Sequence, residues 1–322
     1  MRKRNSRAQV LPDRQSDNPF DADRDFHHWR GEGSALESPI LNFGFREGSQ
    51  VITSGDGSGF VLDGTAGNDL VSGGGGDDTL RAGAGNDMLS GGPGADMLDG
   101  GPGRDVAAYL GASGQYRVIR EFAHWHVIDK SLPNVLDTLV DVEVLSFADR
   151  QFEMVNPPRP TAPAYGQSKD FLLDPVYYLL GAPDLVPTVS LAQAAQHYMT
   201  AGAGQGRLPN PWFQPAVYAN HYADLRALDL SDDQLFAHFN LYGVWEGRSP
   251  GARTDRFDGN HYLAENPDVA AYVDAHLASF LGSRSNGALA HFMIYGADEG
   301  RIAQDLSGNE IRPDYNLDLG VF

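Results

Sequence analysis

Residues 64–108 read GTAGNDLVS, GGGGDDTLR, AGAGNDMLS, GGPGADMLD and GGPGRDVAA, five nine-residue units in unbroken phase. The shared pattern is G-G-x-G-x-D-x-U-x, with U apolar, broken in the first two slots only by Thr65 and Ala82. The sixth slot is aspartate in every copy: Asp69, Asp78, Asp87, Asp96 and Asp105. The eighth is apolar in every copy: Val71, Leu80, Leu89, Leu98 and Ala107. Glycine in the early slots lets the backbone turn tightly at positive φ. The last three slots then form a short strand with one side chain facing inward. Such units stack as a parallel coil at about 4.8 Å per strand, with every second turn on the same side. Carboxylates and main-chain carbonyls of neighbouring turns converge there. Hard oxygen donors, six to eight of them at about 2.3–2.6 Å, are what Ca2+ prefers.

The charge balance agrees. Residues 63–110 hold eight Asp, no Glu, no Lys and two Arg, Arg81 and Arg104. Without a cation these stacked carboxylates repel one another. One apolar residue per nine also buries too little to offset backbone entropy of about 1–2 kcal/mol per residue. The ion is therefore expected to drive folding. Candidate ligands are the five aspartates, the fourth-slot glycines Gly67, Gly76, Gly85, Gly94 and Gly103, and the fifth-slot Asn68, Asp77 and Asn86. Pairing turns two apart gives about three sites: Asp69 with Asp87, Asp78 with Asp96, and Asp87 with Asp105. The exact ligand set stays open.

This run resembles the RTX (repeat-in-toxin) family of calcium-binding β-rolls. The resemblance implies a secreted, extracellular protein exported by type I secretion machinery. Upstream, GDGSGFVLD from Gly55 is in phase but has Phe60 in the aspartate slot, and is read as a capping turn that binds no metal. Ala107 is a weak core residue, which places the end of the coil there. Downstream, LDTLVDVEVLSFADR resembles the D-T-L-x-x-V/I-E-x-L-x-F-x-D module that commonly follows and caps RTX rolls. Its Leu139, Val142, Val144, Leu145 and Phe147 would seal the open end. Alternation at Tyr116-Val118 and Trp125-Val127 predicts short strands. His124 and His126 share one face of such a strand; with no third ligand nearby they are read as surface histidines rather than a zinc site, as are His27 and His28.

The whole chain has 322 residues and a formal charge of −19, which argues against nucleic acid as main partner. It has no cysteine, which excludes thiolate metal sites and disulfide stabilisation. Residues 1–42 are basic at Arg2, Lys3, Arg4 and Arg7, then polar, and are read as a disordered tail without a signal-peptide apolar region. No stretch approaches eighteen apolar residues, so no membrane span is predicted. The C-terminus, NLDLGVF, has an acidic residue before a short apolar tail. It looks like the uncleaved C-terminal signal of type I secretion substrates.

A different repeat follows the Pro-rich break at 156–164. Its openings are LDPVYYLLGAPDL from Leu173, FQPAVYANHYADL from Phe213 and FDGNHYLAENPDV from Phe257. Its closings are HYMTAGAGQGR from His197, HFNLYGVWEGR from His238 and HFMIYGADEGR from His291. Each copy reads as two short helices, the first ending near Pro-Asp or Ala-Asp. The second runs into Gly202, Gly243 or Gly296 as a C-cap glycine. The units resemble repeats of some secreted RTX-type and surface-layer-like proteins, a resemblance that implies no activity. The recurring His, Glu and Arg suit either three equivalent ligand sites or structural pairing. Recurrence at identical positions favours the structural role. Trp212, Trp245 and Tyr242, taken as exposed, keep glycan binding open.

The expected fold class is multidomain β plus α. A β-roll with β cap (43–155) precedes the linker (156–164), an all-α helical repeat domain (165–303) and a C-terminal tail (304–322). No G-x-S-x-G, H-E-x-x-H or P-loop motif is present, so no enzyme is expected. The leading reading is a secreted calcium-binding protein, with the helical repeats attaching to or scaffolding a cell-surface component or glycan. The alternative is a secreted polysaccharide-acting enzyme or glycan-binding accessory module.

Overall fold

Strands form wherever an apolar eighth slot recurs, and the turns between them are the glycine-rich slots. The computed structural model describes residues 48–54, 57–121, 124–157, 162–313 and 315–320. The expectations for residues 1–42, and Val321 and Phe322 of the terminal motif, lie outside these. In chain order the strands are β1 (Val51–Thr53), β2 (Val61–Thr65), β3 (Leu70–Ser72), β4 (Thr79–Gly83), β5 (Met88–Ser90), β6 (Met97–Asp99), β7 (Val106–Ala108), β8 (Tyr116–Glu121), β9 (His124–Asp129), β10 (Leu136–Val140) and β11 (Val144–Ser146). Two compact units divide the chain. Among the described residues, one holds those up to Ser113 together with Ser131–Gln151; the other holds those within Gly114–Lys130 and from Phe152 onward.

The first unit is a parallel β-roll. Odd strands stack as β1-β3-β5-β7 and even ones as β2-β4-β6, all parallel. Val71, Leu80, Leu89, Leu98 and Ala107 are at most 1% exposed, so the eighth slots do supply the core. A rung also precedes the repeats, at Val51–Thr53, paired with Leu70–Ser72. The coil does not end at Ala107. β10 pairs parallel with β6 (Leu139 opposite Leu98), and β11 with β7 (Leu145 opposite Ala107). The small Ala107 side chain is covered by this continuation, so β10 and β11 of the cap each extend one of the two ladders.

The second unit is mainly helical and also takes in the strands β8 and β9. Its β8 and β9 pair antiparallel with Tyr116, Val118, Trp125 and Val127 buried, matching the predicted alternation. Eight α-helices lie among the described residues: α1 (Pro175–Leu180), α2 (Ala194–His197), α3 (Pro215–His221), α4 (Ala223–Arg226), α5 (Asp232–His238), α6 (Gly259–Glu265), α7 (Pro267–Ala275) and α8 (Arg284–His291). In the third copy Pro267-Asp268 starts a helix instead of ending one, because proline is pre-organised for the first helical position. The tail 304–322 also carries regular structure. A short hairpin joins β12 (Ala303–Gln304) to β13 (Glu310–Ile311), and β14 (Asn316–Asp318) pairs antiparallel with β8.

The closing motifs share one construction. α2, α5 and α8 each run on into a π-helical turn: Tyr198–Gly202, Phe239–Gly243 and Phe292–Gly296. Gly202 and its equivalents therefore lie inside the helix. The left-handed residues are Gly206, Gly247 and Gly300, four positions later. The reason is a tyrosine from the opening helix. Tyr178, Tyr218 and Tyr262 place their hydroxyls where a Cβ of Gly202, Gly243 or Gly296 would stand. The same hydroxyls meet His197, His238 and His291 at Nδ1, at 2.6, 2.9 and 3.0 Å. Arg207, Arg248 and Arg301 grip Asp184, Asp224 and Asp268 with both guanidinium nitrogens. The repeated His and Arg thus hold each unit together.

Candidate calcium-binding site

The turns of the roll are built around carboxylates that accept from the main chain of a neighbouring turn. Asp87 Oδ1 accepts from the Asp69 amide at 2.6 Å, Asp96 Oδ1 from Asp78 at 2.8 Å and Asp105 Oδ1 from Asp87 at 2.7 Å. Asp69 and Asp78 accept likewise from Gln50 and Phe60. These bonds join the turns pairwise at the spacing read from the sequence: Asp69 with Asp87, Asp78 with Asp96, Asp87 with Asp105. Phe60 has no carboxylate, but its amide starts one ladder.

One oxygen of each aspartate is thus occupied, and the second is what a cation would use. The Oδ2 atoms of Asp87, Asp96 and Asp105 are buried without a hydrogen-bond partner. Leaving an ionised carboxylate oxygen buried and unpaired is expensive. Burial raises the Asp87 carboxyl above its ordinary value. It pushes Asp96 up to about 6 and Asp105 up to about 7, and in each case the preceding aspartate of the ladder adds repulsion. Asp69 differs: Thr65, in the second slot, donates to its Oδ2 from both amide (2.6 Å) and hydroxyl (2.8 Å).

Carbonyls complete the cradle. A Cβ on Gly73 would fall against Asp78 Oδ2 and 2.7 Å from the Gly91 carbonyl oxygen of the next turn on that edge. Gly64 sits in the same way between Asp69 Oδ2 and the Ala82 carbonyl. Among the described residues no three His, Asp or Glu side chains are grouped to hold a metal by themselves. Paired carboxylates beside main-chain carbonyls on one edge offer hard oxygen donors of the kind that suit Ca2+.

The other sequence candidates are placed as follows. Gly85, Gly94 and Gly103 stack on Gly67, Gly76 and Gly85, so closely that a Cβ would strike the carbonyl below. Asn68, Asp77 and Asn86 form a second ladder, their Oδ1 atoms accepting from Asn86, Ala95 and Arg104 amides at 2.9–3.0 Å. Two acidic residues were not among the sequence candidates. Asp137 Oδ1 accepts from the Asp96 amide at 3.0 Å and Glu143 Oε2 from the Asp105 amide at 2.7 Å. They extend the two ladders into the cap. Burial pushes Asp137 up to about 7. The signal was in the sequence: Asp137-Thr138-Leu139 and Glu143-Val144-Leu145 repeat the acid-x-apolar pattern of slots six to eight.

Stacked carboxylates, buried free oxygens and facing carbonyls on a parallel coil define a calcium-binding β-roll. The family described as RTX calcium-binding nonapeptide repeat (4 copies) matches residues 61–89 and 72–107. With the parallel solenoid of residues 51–107, this makes that segment an RTX-repeat β-roll. Among solved structures, the extracellular lipase LipA from Serratia marcescens aligns at 20% identity and a TM-score of 0.28, over 30% of this chain and 17% of the lipase chain. No curated protein matches.

Proposed function

We propose that this is a secreted, non-catalytic calcium-binding protein whose roll orders on meeting Ca2+ outside the cell. The carrying observation is the set of buried, partnerless Oδ2 atoms of Asp87, Asp96 and Asp105. The proposed sites pair Asp69 with Asp87, Asp78 with Asp96 and Asp87 with Asp105. Carbonyls of the glycine-rich turns supply the remaining oxygens. In low cytosolic calcium the carboxylates repel and the roll stays open for export. Outside, a site held about 100-fold above its Kd contributes about 2.7 kcal/mol to the folded form. Type I secretion machinery is the proposed exporter, read from the RTX repeats and the acidic-apolar C-terminal motif.

The helical repeats are proposed to attach to, or scaffold, a surface component. Of the aromatics taken as exposed, Trp212 and Trp245 are buried at 7% and 5% exposure while Tyr242 is exposed at 36%, so the tryptophans lend a glycan site no support. Among the described residues no helix is long and apolar enough to cross a membrane.

Far-UV circular dichroism from chelator to 10 mM Ca2+ (about tenfold above the weakest extracellular-type affinities), with Mg2+ as control, tests the calcium switch. A cooperative gain of β signal with Ca2+ alone is expected. An unchanged spectrum would remove the switch.

A further inference from the structure

The turn that joins the last repeat to the cap copies the cradles of the earlier turns with different residues. In the roll, the amide of Gly73 donates to Ser90, the ninth slot of the next turn on that edge. The amide of Gly100 donates in the same way to Val140. Val140 thus holds a ninth slot, Asp141 the first slot that follows, and Glu143 the aspartate slot. Three residues, Asp141-Val142-Glu143, replace the six of G-G-x-G-x-D.

The cradle survives this shortening. A Cβ on Gly100 would fall against the Asp141 carbonyl oxygen and 2.7 Å from Asp105 Oδ2. Gly73 faces the Gly91 carbonyl and Asp78 Oδ2 in the same manner. Glu143 binds the Asp105 amide at 2.7 Å, as Asp96 binds that of Asp78. Asp105 is fully buried and its Oδ2 has no hydrogen-bond partner. Asp141 holds a left-handed φ of 47°, a conformation that non-glycine residues adopt rarely. That strain sits at the residue whose carbonyl faces the buried carboxylate.

We propose that the cap is itself a calcium ligand: a further Ca2+ site lies between the Gly100–Asp105 turn and the Asp141–Glu143 turn, held by the Asp105 and Glu143 carboxylates and the Asp141 carbonyl. This rests on the calcium reading of the roll and adds to it a site that no nonapeptide pair supplies. The ion fastens β11 onto β7, so closure of the roll's end becomes calcium-dependent.

The test is the number of Ca2+ ions bound per full-length chain, counted by native mass spectrometry and by equilibrium dialysis with 45Ca (about 1 mM Ca2+, within the extracellular range). Glu143→Gln keeps an oxygen for the Asp105 amide and removes the charge. It is expected to bind one ion fewer than the wild type while keeping its calcium-induced β signal. An unchanged count for Glu143→Gln overturns the cap site. If Glu143→Gln does not fold, the wild-type count decides: saturation above three ions supports the cap site, and three or fewer overturns it. A wild-type chain that binds no Ca2+ overturns the calcium reading itself, a failure distinct from loss of the cap site alone.

Discussion

Gly243 shows why a glycine recurs in each closing motif. A Cβ there would overlap the Tyr218 hydroxyl and lie 2.9 Å from Phe239 Cδ2, and both rings are fully buried. Gly243→Ala is expected to lower stability by about 1–3 kcal/mol, the range for overpacking a core. Urea unfolding of the variant measures it. Adding Tyr218→Phe removes the colliding oxygen and should recover part of the loss, although alone it forfeits the 2.9 Å bond to His238. Strictly additive losses in the double variant would rule out this contact as the reason for glycine. In the roll, Asp87 belongs to two proposed sites and Asp69 to one. Asp69 also has its second oxygen engaged by Thr65. Asp87→Asn should therefore raise the calcium midpoint of folding by at least about tenfold, given how strongly ligand charge tunes such sites. Asp69→Asn should raise it less; equal shifts would contradict the pairing.

For the strands, the sign of the pH response follows from the raised carboxyls. An unfolded aspartate titrates near 3.8, whereas Asp96 titrates at about 6 and Asp105 and Asp137 at about 7 in the ion-free fold. The folded roll therefore holds more protons than the unfolded chain between these values, and its stability falls as pH rises through that window. Without calcium the roll is expected to be most ordered near pH 4 and to lose β signal as pH climbs through 6 to 7. Calcium must displace the same protons, so its apparent affinity should rise over that span. Circular dichroism in chelator at stepped pH checks the first claim and a calcium titration at pH 5.5 and 7.5 the second (about half a unit outside the raised values of about 6 and about 7). A chelated roll that orders as pH rises would reverse the argument. These elements were largely legible beforehand, because a period of nine fixes both the inward residue and the ladder partner. Asp137 and Glu143 escaped because the cap's turns break that period: their acid-x-apolar triplets carry the signal, but parallel pairing of Leu139 with Leu98 and Leu145 with Ala107 is what fixes their slots. The exposure expected of Trp212 and Trp245 also failed. Trp212 follows Pro211 and Trp245 lies between Gly243 and Gly247, stretches too short to carry a periodicity that tells surface from core. In the fold, Trp212 packs edge-on against Phe292 and Trp245 stacks on Phe280.

Across the whole molecule the two units are stabilised by different chemistry, and acid separates them. The helical unit has an aromatic core, with Tyr178, Tyr198, Phe213, Phe236, Phe239, Tyr262 and Phe292 each at most 1% exposed. It depends on no carboxylate ladder. Its titrating weak points are His238 and His291, which burial holds below their ordinary value near 6.5. The folded form then binds fewer protons than the unfolded chain. Stability from these groups is fully present above pH 6.5 and is lost as pH falls through their lowered values. In chelator at pH 7.5 (about the ordinary assay range) the α-helical signal should persist while the roll is open. Added Ca2+ should then create a second, calcium-dependent unfolding transition and leave the helical one in place. Lowering the pH in chelator should move the two in opposite directions, raising the order of the roll while the helical transition shifts to lower temperature. Thermal scans followed at helix and strand wavelengths, with and without Ca2+, resolve these responses. A single transition moving as one under both calcium and acid would show that the roll and the repeats melt together.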